Sequence, residues 1–312
     1  MMTQETIQQT FSVGGEARLK VSNIRGSVTV RRGQAGQIEV NALKHTASGD
    51  ADHTRVEIRQ NEDGSVVVET RFNDGYWGFF GLYKPCKIDY TIYLPENCRL
   101  RASGVSCSLD IAGLSGEIEV SSVSGQVILR DLLGDLKINS VSGSVSGVDL
   151  GGSLQLETVS GAVELDNCQC SPVKGNTVSG RIRLQSPVTG DQYQFRSVSG
   201  DVQLSLPAAT GSEVHMTSMS GRFTTNLPSE RNGRNHGTRQ YNLGSQGPRV
   251  EFNSMSGDLR LNLGEDISEA SSEDHPSPAG KPPTDPMDVL ERIERGELSV
   301  EDGLLALSGE KV

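Results

Sequence analysis

The tripeptide Val-Ser-Gly returns along the chain at nearly constant intervals. Its glycine falls at Gly125, Gly143, Gly161, Gly180, Gly200, Gly221 and Gly257, with spacings of 18, 18, 19, 20, 21 and 36 residues, and methionine replaces valine in the last two. A fixed period in this range marks stacked repeats, each of which buries its apolar face only against its neighbours. The flanks extend the unit to apolar-x-apolar-x-x-(Val/Met)-Ser-Gly-x-apolar-x-apolar, as in "LKINSVSGSV", "YQFRSVSGDVQL" and "VEFNSMSGDLRL". "LRASGVSCSLDI" obeys the same rule with Cys107 in the glycine's place, and "LKVSNIRGSVTV" obeys it around Gly26, so at least nine copies are present.

Within each copy the apolar residues alternate with period two, which makes each half a β-strand with one buried face. Between the halves the phase slips, because Ile138 and Val141, or Leu156 and Val159, are three residues apart. An odd offset turns a strand inside out unless the backbone bends, so the tripeptide is a corner. On this reading valine packs inward, serine is free to form a ladder, and glycine stands where a Cβ would crowd the bend. Gly134 and Gly152 mark a second turn halfway round. A chain that bends at the same place every 18 to 21 residues is a coil, and the predicted fold is all-β, a β-solenoid. A content of 36 glycines and only 14 aromatic residues suits thin aliphatic layers joined by tight turns.

Residues 1–100 read as a β-rich N-terminal region and cap, with Glu62-Asp63-Gly64 as a hairpin turn, and residues 101–264 as the solenoid proper. The insertion at 229–249 reads as an exposed loop. Residues 265–284 are acidic and rich in Ser and Pro, the composition of a disordered linker. Residues 285–312 read as a helical hairpin, with Asp285 as N-cap, Pro286 at the first helical position and a stop at Gly296. Its apolar faces, including Leu290, Ile293, Leu304 and Leu305, bury too little to fold alone, so the hairpin is expected to recruit a protein partner or to self-associate.

Of the net charge of -11, residues 265–312 carry -9 and the first 264 residues only -2. A nearly neutral body without a basic cluster lacks the footprint of a nucleic-acid binder. The N-terminus lacks the basic and apolar regions of a secretory leader, and no apolar run approaches a membrane span, so the expected location is cytoplasmic. The five cysteines, an odd number, fit a disulfide framework poorly and offer no zinc spacing. The only close pair, Cys168 and Cys170, is read as divided between opposite faces of a strand.

Catalysis finds little support. The nearest approach to a nucleophile elbow, Gly143 to Gly147, carries valine at its centre, and the five histidines lie in unrelated segments. Asp131, Asp149 and Asp166 recur near one turn as a candidate acidic ladder, but the oxygen-rich spacing of a calcium site is missing. No metal, cofactor or catalytic residue is assigned. The most distinctive stretch is "RFNDGYWGFFGLYKP", where Tyr76, Trp77, Phe79, Phe80 and Tyr83 crowd between glycines. Two readings stand: a hydrophobic lid on the first coil, or an anchor for a protein partner or for peripheral membrane contact.

The proline-ended strand "IDYTIYLPENCRLRASGVSCSLDI" and the repeated "SVSG" units resemble the bacterial "putative adhesin" β-strand-repeat domains of unknown function. The terminal "IERGELSVEDGLLAL" is similar to the helical hairpin that accompanies them. The resemblance implies the solenoid fold and a role in cell-envelope stress proteins, and it implies no catalytic residues. The function expected is a non-enzymatic scaffold or binding protein. The alternative is a carbohydrate-binding solenoid or polysaccharide lyase, which needs clustered carboxylates and a groove on an outer face.

Overall fold

A computed structural model describes residues 4–72, 84–187, 190–207, 211–226, 230–235, 238–243 and 247–263. They are almost wholly β-strand. The first strands are β1 (Gln4–Ser12), β2 (Ala17–Arg32), β3 (Gln37–His45), β4 (Thr54–Gln60), β5 (Val66–Phe72) and β6 (Lys87–Leu94). The regular coils follow in β7 (Asn97–Ser122), β8 (Val127–Ser140), β9 (Val145–Thr158), β10 (Val163–Thr177), β11 (Ile182–Gln185), β12 (Gln192–Ser197) and β13 (Val202–Leu206). The chain ends its described part with β14 (Ser212–Ser218), β15 (Phe223–Thr225), β16 (Glu230–Asn235), β17 (Thr238–Leu243), β18 (Arg249–Ser254) and β19 (Leu259–Leu263).

Strands one coil apart pair in parallel and in register. Val127 sits on Val145 and Val145 on Val163, while Leu136 sits on Leu154 and Ile138 on Leu156. Like residues stack on like at about 4.8 Å per step. The fold is therefore the predicted all-β solenoid, with a continuous buried core of valine, leucine and isoleucine.

Each regular coil bends three times, which makes its cross-section three-sided. The first bend is the Val-Ser-Gly corner. The second is a left-handed residue, Asp131 (φ 51°), Asp149 (φ 57°) or Asn167 (φ 50°), in line with Gly113 (φ 72°) of the coil before. Asp, Asn and Gly are the residues that adopt this conformation at least cost. The row is thus Asp131, Asp149 and Asn167, whose amide bonds the Asp149 carboxylate. Asp166 stands outside it, paired in register with Val148. The third bend is Gly116, Gly134 or Gly152, each with φ between 101° and 128°.

The order of coils in space is not their order in the chain. The Gly26 coil, formed by β2, lies between the β5–β6 coil and the first coil of β7. At the other end the Gly257 coil, formed by β18 and β19, pairs with β12 and β13 on one side and with β14 and β15 on the other. It slides between the Gly200 and Gly221 coils. Both outermost coils are then covered by antiparallel strands: β3 and β1 over β6, β4 over β5, and β17 and β16 over β14. The 229–249 insertion is therefore not a plain loop, since it supplies the β16–β17 hairpin that caps the stack. Antiparallel caps blunt the open edges that would otherwise template pairing with another chain.

Cys107 has a structural explanation. In the coils above it the residue three before the corner glycine is Ser or Thr, as in Ser122 before Gly125. In this coil the pair is exchanged, with Gly104 followed by Cys107. A Cβ on Gly104 would overlap Cys107 Sγ, so the sulfur fills the space that a hydroxyl occupies elsewhere. Gly104→Ser alone is expected to cost about 1–3 kcal/mol through overpacking, and Gly104→Ser with Cys107→Gly to recover most of it. Thermal midpoints of the single and double variants test this; a double variant no more stable than the single would contradict the exchange.

All five cysteines are buried and unpaired. Cys168 and Cys170 both face inward, because residues two apart on a strand share a face. Burial pushes the Cys98 thiol up to about 12 and the Cys107 thiol up to about 11. Such thiols are poor nucleophiles.

A valine ladder as the candidate interface

The inward phase of each first strand runs through the corner without a slip. Leu136, Ile138 and Ser140 all point inward, so Val141 points out. The buried hydroxyl is held locally: Ser122 Oγ donates to Gly125 O at 2.8 Å, Ser140 to Gly143 O at 2.7 Å and Ser197 to Gly200 O at 2.6 Å. Satisfied in this way, a serine occupies the core side at little cost. Valine does not pack inward at the corner, contrary to the reading from periodicity.

Val105, Val123, Val141, Val159, Val178 and Val198 are each between 44% and 47% exposed, and Met255 and Met219 continue the row at 55% and 85%. Backbone bonds hold the row in line. Ser142 N–H donates to Val123 O at 2.8 Å, Ser256 N–H to Val198 O at 3.0 Å and Ser220 N–H to Met255 O at 3.1 Å. The outward serines add a second tie, with Ser142 Oγ donating to Val123 O at 3.0 Å. Eight apolar side chains at about 4.8 Å per step make a stripe of about 34 Å.

A parallel row stands two residues earlier, comprising Ser103, Ser121, Asn139, Glu157, Asn176 and Arg196. Between the rows the intervening residue turns inward and leaves a trough. The trough is a groove of ≈ 780 Å³ with one wall of valine and one of small polar side chains. Its two charged residues are of opposite sign, Glu157 and Arg196. Asn139 spends its amide nitrogen on Ser121 Oγ at 3.4 Å, while its Oδ1 is buried with no hydrogen-bond partner among the described residues. The row is the longest run of exposed large apolar side chains among the described residues and is therefore the candidate interface.

A second recess, of ≈ 650 Å³, lies on the other side of the corner at the N-terminal end, where Arg25, Ser27, His45, Lys87 and Asp89 meet. Ser27 Oγ donates to Asp89 Oδ1 at 2.7 Å, and His45 Nε2 lies 2.7 Å from Asp89 Oδ2. The carboxylate stands between hydroxyl and imidazole, so the ring is not placed to take the serine's proton in the manner of a Ser-His-Asp triad. His53 and His215 likewise lie against carboxylates, Asp50 at 2.8 Å and Glu213 at 2.7 Å. Among the described residues no group of three or more His, Cys, Asp or Glu could hold a metal ion.

Tyr76, Trp77, Phe79, Phe80 and Tyr83 lie outside the described residues, as do Leu290, Ile293, Leu304 and Leu305 of the expected hairpin. The structure instead brings forward the valines, whose outward direction could have been read by following period two through the buried Ser or Thr.

The fold defines a β-solenoid repeat domain with an apolar ladder along one corner. The chain belongs to the Toastrack DUF4097 family, whose model matches residues 17–262, the span from β2 into β19. Similar solved structures include a "putative cell adhesion protein" from Clostridium sporogenes, 10% identical, covering 83% of this chain and 100% of its own, with a TM-score of 0.28. A "putative adhesin" from Parabacteroides distasonis is 11% identical over 82% of this chain and 97% of its own, with a TM-score of 0.38. A "putative lipid binding protein" from the same species is 12% identical over 83% and 96%, with a TM-score of 0.36. Among curated proteins none matches.

Proposed function

We infer that this protein is a non-enzymatic binding scaffold that makes its contact through the valine ladder and the groove beside it. One observation carries the reading: eight apolar side chains are held outward in a straight row by a backbone whose bonds are already satisfied from coil to coil. A rigid surface of this kind loses little conformational entropy on binding. The lining suits an elongated, largely uncharged contact, and it lacks the clustered carboxylates that a polysaccharide-cleaving solenoid would need. Its resemblance to envelope stress proteins supports placing the contact at the cell envelope.

The test uses an environment-sensitive apolar dye on the full chain, diluted until single copies predominate so that the ladder is open to the dye. Val141→Asp and Val159→Asp place charges on the ladder without entering the core, so thermal midpoints should hold while dye fluorescence falls by about fivefold or more, the effect of a charge in an apolar contact. Dye binding unchanged by both substitutions would remove the ladder as the contact surface.

A further inference from the structure

The two rows beside the corner read almost the same in either direction. In spatial order from the Gly125 coil to the Gly221 coil, the polar row runs Ser121, Asn139, Glu157, Asn176, Arg196, Asn253 and Thr217. About Asn176 it is a chemical palindrome: hydroxyl against hydroxyl, amide against amide, and acid against base. Over the same seven coils the apolar row has the same centre, with Val159, Val141 and Val123 on one side of Val178 matched by Val198, Met255 and Met219 on the other. Val105 lies beyond the matched span.

We propose that the ladder is the interface of a symmetric antiparallel dimer, with the two-fold axis passing across the stack at the Val178 coil. The proposal rests on the ladder being the contact surface and names its occupant as a second copy of this chain. A two-fold axis lying in the interface, perpendicular to the stack, sets the polar row on the polar row and the apolar row on the apolar row. Glu157 then meets the partner's Arg196, and Arg196 meets the partner's Glu157. Val178 faces the partner's Val178.

Three observations favour this occupant. The charges are complementary only in the antiparallel sense, since a parallel two-fold sets Glu157 against Glu157 or against valine. Arg196 is exposed and forms no salt bridge among the described residues, so its guanidinium is free for a carboxylate in trans. Asn139, half-buried, and the partner's Asn253, exposed, would stand opposite each other, and each amide carries both a donor and an acceptor. Both copies also share the same coil spacing of about 4.8 Å, so one matched pair brings the others into step. Self-complementary patches of this kind are what a C2 interface requires.

The test is the oligomeric state of the full chain by sedimentation and light scattering at micromolar concentrations. Wild type is expected to be a dimer. Glu157→Arg and Arg196→Glu should each weaken it by about tenfold or more, since each sets two like-charged pairs face to face, and the double variant should restore it. Val178→Cys should cross-link to itself under mild oxidation, while Val105→Cys, four coils from the axis, should not. A monomer at all concentrations, a dimer indifferent to the charge reversals, singles not rescued by the double, or equal cross-linking by Val105→Cys would each overturn the proposal. A monomer whose dye binding is still lost on Val141→Asp would sink the dimer alone and leave the ladder as a contact surface for another partner.

Discussion

Gly161→Ala is expected to destabilise the folded chain by about 3 kcal/mol, the upper end of the overpacking range, although it adds a single methyl group. The corner glycines form a column in which a Cβ on each would overlap the carbonyl oxygen of the glycine one coil away: Gly143 on Gly125, Gly161 on Gly143, Gly180 on Gly161 and Gly200 on Gly180. That backbone cannot give way locally. The blocked oxygen also accepts a buried hydroxyl, and the neighbouring coil is fixed by pairing along its whole length. Gly64→Ala is the control: its φ is 78° but a Cβ there meets nothing, so it should cost only the strain of the left-handed conformation, roughly 1–2 kcal/mol. Denaturant and thermal midpoints of the two variants separate steric from conformational cost. A Gly161→Ala chain as stable as wild type would mean that the coils stack further apart than described.

Phe252→Ala should cost about 3–5 kcal/mol, as truncation of a buried aromatic ring usually does. Its distribution is more informative than its size. Phe252 is fully buried and stands in register with Phe195 on one side and Met216 on the other, inside the coil that threads between its two predecessors. A cavity there loosens both neighbours at once. Hydrogen exchange should therefore show lost protection in β12, β14, β18 and the capping β17, while β8 and β9 keep theirs, as nearest-neighbour coupling in a stacked fold predicts. If the coils were stacked in chain order, β18 would lie on β14 alone with β12 one coil further away, and the loss would spare β12.

Much of the fold was legible because the repeat carries it. Period-two alternation, a corner every 18 to 21 residues and glycine where stacking is tight are local features, and every copy reports them again. The direction of the valine was misread for a definable reason. Ser122, Ser140 and Thr158 look like surface residues, so the inward phase seemed to stop before them and resume at valine. In the folded chain each hydroxyl is satisfied by the glycine three residues on, which lets a polar side chain hold the inward place and sends the valine out. The third member of the aspartate row was misplaced by one residue, Asp166 for Asn167, since a left-handed turn shows itself in φ and not in residue type alone.

From its own residues, then, the chain determined the alternation along each strand, the recurring Val-Ser-Gly corner and the glycine turn halfway round, because these depend on contacts within a coil or with an identical neighbour. The number of sides and the outward valine came only with the folded chain. The tertiary structure alone decided which coil lies beside which. All copies present nearly the same edge, so pairing the Gly257 coil with Gly200 or with Gly221 satisfies the local pattern equally well. What selects the observed order is the covering of both ends: threading the terminal coil inward leaves the β16–β17 hairpin free to pair antiparallel with β14, just as β3 and β1 cover β6 at the other end. The same threading sets Met255 before Met219 in the ladder, and with them the order in which the polar row is read.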